Sequence, residues 1–260
     1  MNRLEQIQYL IGVLLKEMPV YQTQAKDFPR DEQSQRRLLR SLMNVRPPLP
    51  LDVEFLAVQD ELLLAEREEK GVVDAAALPV SASDSRLILW QGDITRLSVD
   101  AIVNAANSAL LGCFVPCHGC IDNAIHSAAG LQLRDACNRL MEQQGHPEPT
   151  GQAKLTAGYN LPARYVLHTV GPIVQGRVSR HDRELLASCY RTCLELAAEH
   201  DLQSVAFCCI STGEFHFPNQ EAAKIAVQTV KEFLQAPTSI RKVIFNVFKD
   251  FDADVYRTLL

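Results

Sequence analysis

The residues with the most chemistry in them stand close together. From Gly112 to His126 the chain reads Gly-Cys-Phe-Val-Pro-Cys-His-Gly-Cys-Ile-Asp-Asn-Ala-Ile-His, which places the thiols of Cys113, Cys117 and Cys120 around the imidazole of His118. Thiolate and imidazole nitrogen are the donors zinc prefers. Three such ligands leave one coordination position open, as in a catalytic site, whereas four close it and make it structural. The competing reading is a set of buried thiols with no metal, for which a loop carrying Pro116 and Gly119 is a poor place. Asp122 follows the last thiol closely and could orient water or act as a base; it could equally serve the N-terminus of the next helix. His126 lies past that helix start and reads as a packing residue.

Four further segments lie where strands should end. In Gln91-Gly92-Asp93-Ile94-Thr95 the Asp93 carboxylate can accept a hydrogen bond from an exocyclic amine such as that of adenine, or cap a turn. In Asp100 to Asn107 an apolar run leads into Asn104, Asn107 and small residues. Small side chains let a ligand reach the backbone, and asparagine amides both donate to and accept from sugar hydroxyls, or stabilise a loop. Ile210-Ser211-Thr212-Gly213-Glu214-Phe215-His216-Phe217-Pro218 is a glycine-containing turn before a helix, where successive N–H groups can cradle a pyrophosphate. It has no lysine, which argues against a P-loop. The stretch from Gly151 to Pro172 reads as two strands with a tight connection, and His168 within it as a satisfied core histidine.

These segments need elements to hold them. Leu87–Trp90, Ala101–Val103, Tyr165–Leu167, Val205–Ile210 and Val243–Phe245 are apolar runs of buried-strand type. Helical patterns fill the gaps: Ile121–Gln144, Asp182–His200 and Asn219–Gln235. Strands alternating with helices predict an α/β layered fold with a largely parallel, mixed sheet and a ligand beyond the carboxyl ends of its strands. Before that lie three predicted helices. The first carries Leu4, Ile7, Leu10, Ile11, Leu14 and Leu15. The second covers Arg30 to Val45, and the third runs from an N-cap at Asp52 to Gly71. The expected division is a helical extension over 1–80 and an α/β domain over 81–260.

Composition excludes several classes. Charged residues make up 22% and hydrophobic ones 47%, and the formal charge is −5. No basic stripe is present, so nucleic acid is not an expected partner, and any phosphate must be held by backbone N–H groups. No run approaches the roughly 18 apolar residues that a membrane span requires. The segment Met1–Met18 carries Arg3, Glu5, Lys16 and Glu17 and is not read as a signal peptide. A cytoplasmic setting with reduced cysteines is expected. Cys189, Cys193, Cys208 and Cys209 are read as core residues.

Taken together, from about Leu87 to the C-terminus, the order and wording of these segments resemble the macrodomain family, the ADP-ribose-binding three-layer α/β/α fold with a mixed central sheet. The resemblance implies that Asp93 binds the adenine amine with Ile94 beside it. It also implies that Ser211, Thr212, Gly213, Glu214 and Phe215 wrap the diphosphate and distal ribose. Asn107 would face the distal ribose, and Asn246 and Phe248 the adenosine. The Cys-rich insertion resembles the zinc-dependent macrodomains of microbial ADP-ribosyl hydrolases, which have Cys, a Pro three positions on, then His, Cys, Ile, Asp and Asn. That implies one Zn2+ held by Cys113, His118 and Cys120, with Asn107 and Asp122 as catalytic residues. Cys117 is off the pattern, and a fourth ligand from it would close the site. The implied activity is removal of mono-ADP-ribose from Asp or Glu side chains of a modified protein, a lipoyl-carrier protein being one candidate. A reader module that binds ADP-ribose without cleaving it, and a deacetylase of O-acetyl-ADP-ribose, are the alternatives.

Overall fold

Asn2, Asp31 and Asp52 each set a side-chain oxygen on the free N–H groups of a helix start. The computed structural model, which describes residues 1–260, shows the helices they begin. These are α1 (Arg3–Glu17), then, after a short α2 (Gln22–Lys26), α3 (Glu32–Val45) and α4 (Val53–Lys70). Gly71, at φ +79°, ends α4 as expected. Ile7, Leu10, Leu14, Leu39 and Leu62 fall on the inner faces and form an apolar core of their own, which Leu131 joins from the rest of the chain.

The remaining elements are β1 (Val73–Asp74), β2 (Leu87–Gln91), β3 (Leu97–Ser98), β4 (Ala101–Ala106), α5 (Ile121–Ala129), α6 (Leu131–Gln144), β5 (Ala153–Ala157), β6 (Tyr165–Val170), α7 (Arg180–Glu199), β7 (Ser204–Phe207), α8 (Asn219–Phe233), β8 (Lys242–Val247) and α9 (Asp250–Arg257). Six strands form one sheet in the order β2-β8-β7-β4-β6-β5, parallel except for the antiparallel β5–β6 pair. Helices α7, α8 and α9 pack side by side as one layer, and α5 and α6 lie against β4 and β5 as the other. The predicted α/β/α architecture with a mixed sheet is therefore the one found. β1 and β3 pair separately.

Two predicted elements differ. The single helix over 121–144 is two, because Gly130 adopts φ +94° and caps α5 before α6 begins. An ideal Cβ there would come within 2.7 Å of Gln59 Nε2 on α4, so glycine also admits the helical extension. The strand expected over 205–210 covers Ser204–Phe207, and Cys208 to Ile210 lie beyond its end. Cys189, Cys193 and Cys208 are buried, as read; Cys209 is only partly so and lines the cavity described next.

Candidate active site

β4 pairs with β6 over its whole length but with β7 only at Ala101–Val205 and Ile102–Ala206. Beyond that point the two strands part. A cavity of about 690 Å³ opens there, at the carboxyl ends where the strand order reverses. Its wall brings together Asp93, Ile94, Asn107, Cys113, His118, Cys120, Asp122, Ser211, Thr212, Gly213, Glu214, Phe215, Asn246 and Phe248; of the residues weighed in the sequence, Asn104, Cys117, His126 and His168 lie off it. The volume suits a ligand of nucleotide-sugar size.

At one end stand Cys113, His118 and Cys120, with Sγ, Nδ1 or Nε2 and Sγ all within 4.8 Å of one another. Cys113 Sγ lies 3.5 Å from His118 Nδ1. Tetrahedral zinc, with Zn–S of about 2.3 Å and Zn–N of about 2.0 Å, separates its donors by about 3.5 Å, so the three side chains fit such an ion. Burial, with Cys113 nearby adding to it, pushes the Cys120 thiol up to about 11. The two sulfurs would both ionise only with a cation between them. Glu214 Oε1 lies 3.6 Å from His118 Nε2, leaving Nδ1 to face the thiols. Cys117 does not join them. Its Sγ turns to Ser41 Oγ at 3.3 Å and to the Arg37 carbonyl at 3.7 Å on α3. The closed four-ligand alternative is thus not the arrangement found.

Asp122 sits in the first turn of α5, but the cap is Cys120, whose Sγ accepts from Asn123 N–H at 3.4 Å. The Asp122 carboxylate instead accepts from Asn104 Nδ2 at 2.8 Å and is buried, which pushes it up to about 6. Behind it lies His168, fully buried, as its strand position implies. It contacts Thr156 Oγ1 at 2.9 Å and Asn104 Nδ2 at 3.2 Å. His126 Nε2 is 3.5 Å from Asp122 Oδ1, yet burial holds that imidazole well below its usual range, so the contact is not an ion pair.

The other end is built differently. Asp93 Oδ1 caps the turn at Ile94–Arg96, accepting from Thr95 N at 3.0 Å and Thr95 Oγ1 at 2.7 Å. Its Oδ2 has no protein partner, so the capping and ligand readings coexist in one carboxylate. Between the two ends, none of the backbone N–H groups from Ser211 to Phe215 donates to another protein group. The turn is held by Phe217 N–H to Ser211 O at 2.9 Å and His216 N–H to Gly213 O at 3.0 Å, which leaves those donors for an anion. Lys249 is the one Lys or Arg on the cavity wall, as a backbone-held phosphate requires. Gly171 makes room for the turn: an ideal Cβ would meet Ser211 Oγ at 2.0 Å.

Three candidates are more structural than their sequence reading. Asn107 spends Oδ1 on Ala109 N–H (3.0 Å) and Nδ2 on Gly112 O (3.2 Å), so it braces the loop while retaining one free N–H. Asn246 Nδ2 donates to Gly92 O at 2.9 Å and fixes the end of β2. Asn104 is fully buried and meets Asp122 rather than solvent. Phe248, 76% exposed, is free to stack on a planar ligand. Sequence reasoning missed Asn44, Arg40 and Arg134. Arg134 stacks 4.4 Å over the Phe114 ring and donates to the carbonyls of Leu111 (2.7 Å) and Met43 (2.9 Å). All three reach the metal loop from afar, and no local pattern marks them.

Residues 103–226 match the family described as Macro domain. A protein-ADP-ribose hydrolase of Treponema medium is 50% identical over 262 residues, covering 100% of both chains. One of Staphylococcus aureus is 52% identical over 221 residues, 85% of this chain and 82% of the relative. Among solved structures, a Trypanosoma brucei macrodomain in complex with ADP-ribose superposes with a TM-score of 0.66 at 32% identity, covering 84% of this chain and 94% of its own. A mutant Oceanobacillus iheyensis macrodomain with ADPR gives 0.61 at 41% identity, over 66% and 90%.

Proposed function

The chain belongs to the macrodomain family, and from that premise we propose that it is a zinc-dependent protein-ADP-ribose hydrolase that removes mono-ADP-ribose from modified side chains. The observation that carries the reading is the placement of one Cys-His-Cys donor cluster and one buried carboxylate at the same end of a cavity whose middle offers free backbone N–H groups. The relatives bearing a hydrolase name support the reaction class, and the solved macrodomains with ADP-ribose support the ligand.

In this reading Asp93 Oδ2 accepts the adenine amine, Phe248 stacks on the base, and the Ser211–Phe215 amides hold the diphosphate. That delivers the distal ribose to Cys113, His118 and Cys120. Zinc held there supplies Lewis acidity toward water or a ribose hydroxyl at neutral pH. Cleavage at the anomeric carbon builds positive, oxocarbenium-like charge on the sugar. The Asp122 carboxylate, raised to about 6 by burial and aimed by Asn104, takes a proton from the attacking water as the water oxygen bonds to the anomeric carbon and the bond to the modified side chain breaks, releasing that side chain as a carboxylate. Asn107 holds the loop that faces the ribose. Aspartate or glutamate linkage, with a lipoyl-carrier protein as bearer, is the substrate we assign.

We keep the division into a helical extension over 1–80 and a macrodomain over 81–260; an apolar core shared by α1, α3 and α4 favours it, while Val73, Ala75 and Leu78 pack with the sheet core and β1 pairs with β3. Eight unpaired cysteines support a reducing, cytoplasmic setting, and no helix is long and apolar enough to cross a membrane. The test is single-turnover release of ADP-ribose from a mono-ADP-ribosylated protein, run beside O-acetyl-ADP-ribose, with zinc-loaded and chelator-treated protein. Release only by the loaded form is expected. Binding without release leaves a reader module, and turnover of the acetyl ester alone leaves a deacetylase.

A further inference from the structure

Between the ligands Cys113 and Cys120 the chain passes through Cys117, whose φ of +51° is a conformation L side chains rarely adopt. Inside the loop a single backbone bond, His118 N–H to Val115 O at 3.2 Å, holds the turn. Much of the remaining hold on the turn at Cys117 comes from α3. Asn44 Oδ1 accepts Cys117 N–H at 2.9 Å, and Asn44 Nδ2 donates to Ser127 Oγ on α5 at 3.0 Å. Asn44 is 2% exposed, so water does not replace these partners. One turn earlier, Arg40 Nη2 donates to Asn123 Oδ1 at 2.8 Å, and Asn123 Nδ2 donates to Val115 O at 3.0 Å. One helix thus grips the loop at two points, and it lies outside the residues 103–226 that match the Macro domain family.

We propose that Asn44 is a positioning residue for the metal centre: its amide fixes the turn at Cys117 so that Cys113, His118 and Cys120 present their donors together, which makes the helical extension part of the site. The proposal rests on the zinc reading above. An unsupported loop would reach ligand geometry only part of the time, and metal would leave through the open fraction.

The test uses the full-length protein and three substitutions, N44A, N44D and S127A. Zinc release to excess chelator is timed, amide exchange at 113–120 is followed in chelated protein, and ADP-ribose affinity is measured. N44A should release zinc roughly ten-fold faster and exchange the Cys117 amide roughly ten-fold faster, the scale of one lost buried hydrogen bond. ADP-ribose affinity should stay within about two-fold, since adenine and diphosphate contacts lie elsewhere. N44D keeps the accepting oxygen and should recover most of the loss. S127A removes the partner of Asn44 Nδ2 on α5 together with the 3.3 Å bond from Ser127 Oγ to Asn123 Oδ1, leaves the Asn44–Cys117 bond in place, and should fall between. Wild-type rates of release and exchange in N44A overturn the proposal, as does an N44D protein no better than N44A. If N44A does not fold, S127A decides: faster loop exchange supports the proposal and wild-type exchange overturns it. Wild-type protein that binds no zinc sinks the zinc reading, and amide exchange in metal-free N44A then decides the role of Asn44 alone.

Discussion

Asn104 Nδ2 donates to Asp122 Oδ1 at 2.8 Å across the junction of β4 and α5, so the carboxylate enters the cavity already oriented by a fully buried amide. A charge held there is costly, because burial raises Asp122 to about 6. Asp122→Asn should therefore lower single-turnover release of ADP-ribose by about 10²–10⁴, the range of a general base. Its melting temperature should be unchanged or higher, since a buried charge is removed and the Asn104 contact keeps its acceptor. A folded Asp122→Asn protein with near wild-type release would take Asp122 out of the reaction.

Metal content separates the thiols. Cys117→Ser should retain one zinc per chain by elemental analysis, because Cys117 faces Ser41 and Arg37. His118→Ala should lose most of the metal and nearly all hydrolysis while keeping most ADP-ribose affinity, because charge develops at the distal ribose and binding is set at the other end of the cavity. Equal losses of melting temperature, binding and turnover in His118→Ala would indicate a structural ion instead.

At the adenine end the two duties of Asp93 can be split. Asp93→Asn keeps the Oδ1 acceptor that caps Thr95 but replaces the free oxygen with a donor. Calorimetry should show ADP-ribose bound about 1.5–3 kcal/mol more weakly at an unchanged melting temperature. Unchanged affinity would place adenine recognition on other residues.

The buried histidines predict how stability follows pH. Burial lowers His168 to about 3, against an ordinary value of about 6.5 in the unfolded chain. Between those values the unfolded state binds more protons, so stability is complete above about 6.5 and falls as pH drops toward 3. His126 shifts the same way, while Asp122, raised from 3.8 to about 6, works against them below 6. The loss should amount to about 1 kcal/mol per histidine over the first unit below 6.5. Melting curves at pH 7, 6 and 5 should fall steadily for wild type and less steeply for His168→Gln. Parallel slopes in the two proteins would reject this account.

Much of this molecule is legible in its one-dimensional pattern because the deciding interactions are short-ranged. Asp31 and Asp52 cap helices through the N–H groups three residues on, apolar runs make buried strands wherever they fall, and thiols crowded around one imidazole state their donor chemistry whatever the fold. Asp93, Asn107 and the 211–215 turn were readable as strand-end segments, since parallel strands put their carboxyl ends on one side, whereas Ile94, Asn246 and Phe248 and the ligand role of each came from the family resemblance. What only the tertiary structure decided depends on partners distant in sequence. Cys117 leaves the metal set because Ser41 and Asn44 on a far helix claim it; Asn107 and Asn246 prove partly occupied by loop and strand-end carbonyls; the helix expected over 121–144 breaks where α4 presses on Gly130. A side chain's type limits what bonds it can make, but which of them it makes is settled by the groups that packing brings within about 3 Å, and those are not its neighbours along the chain.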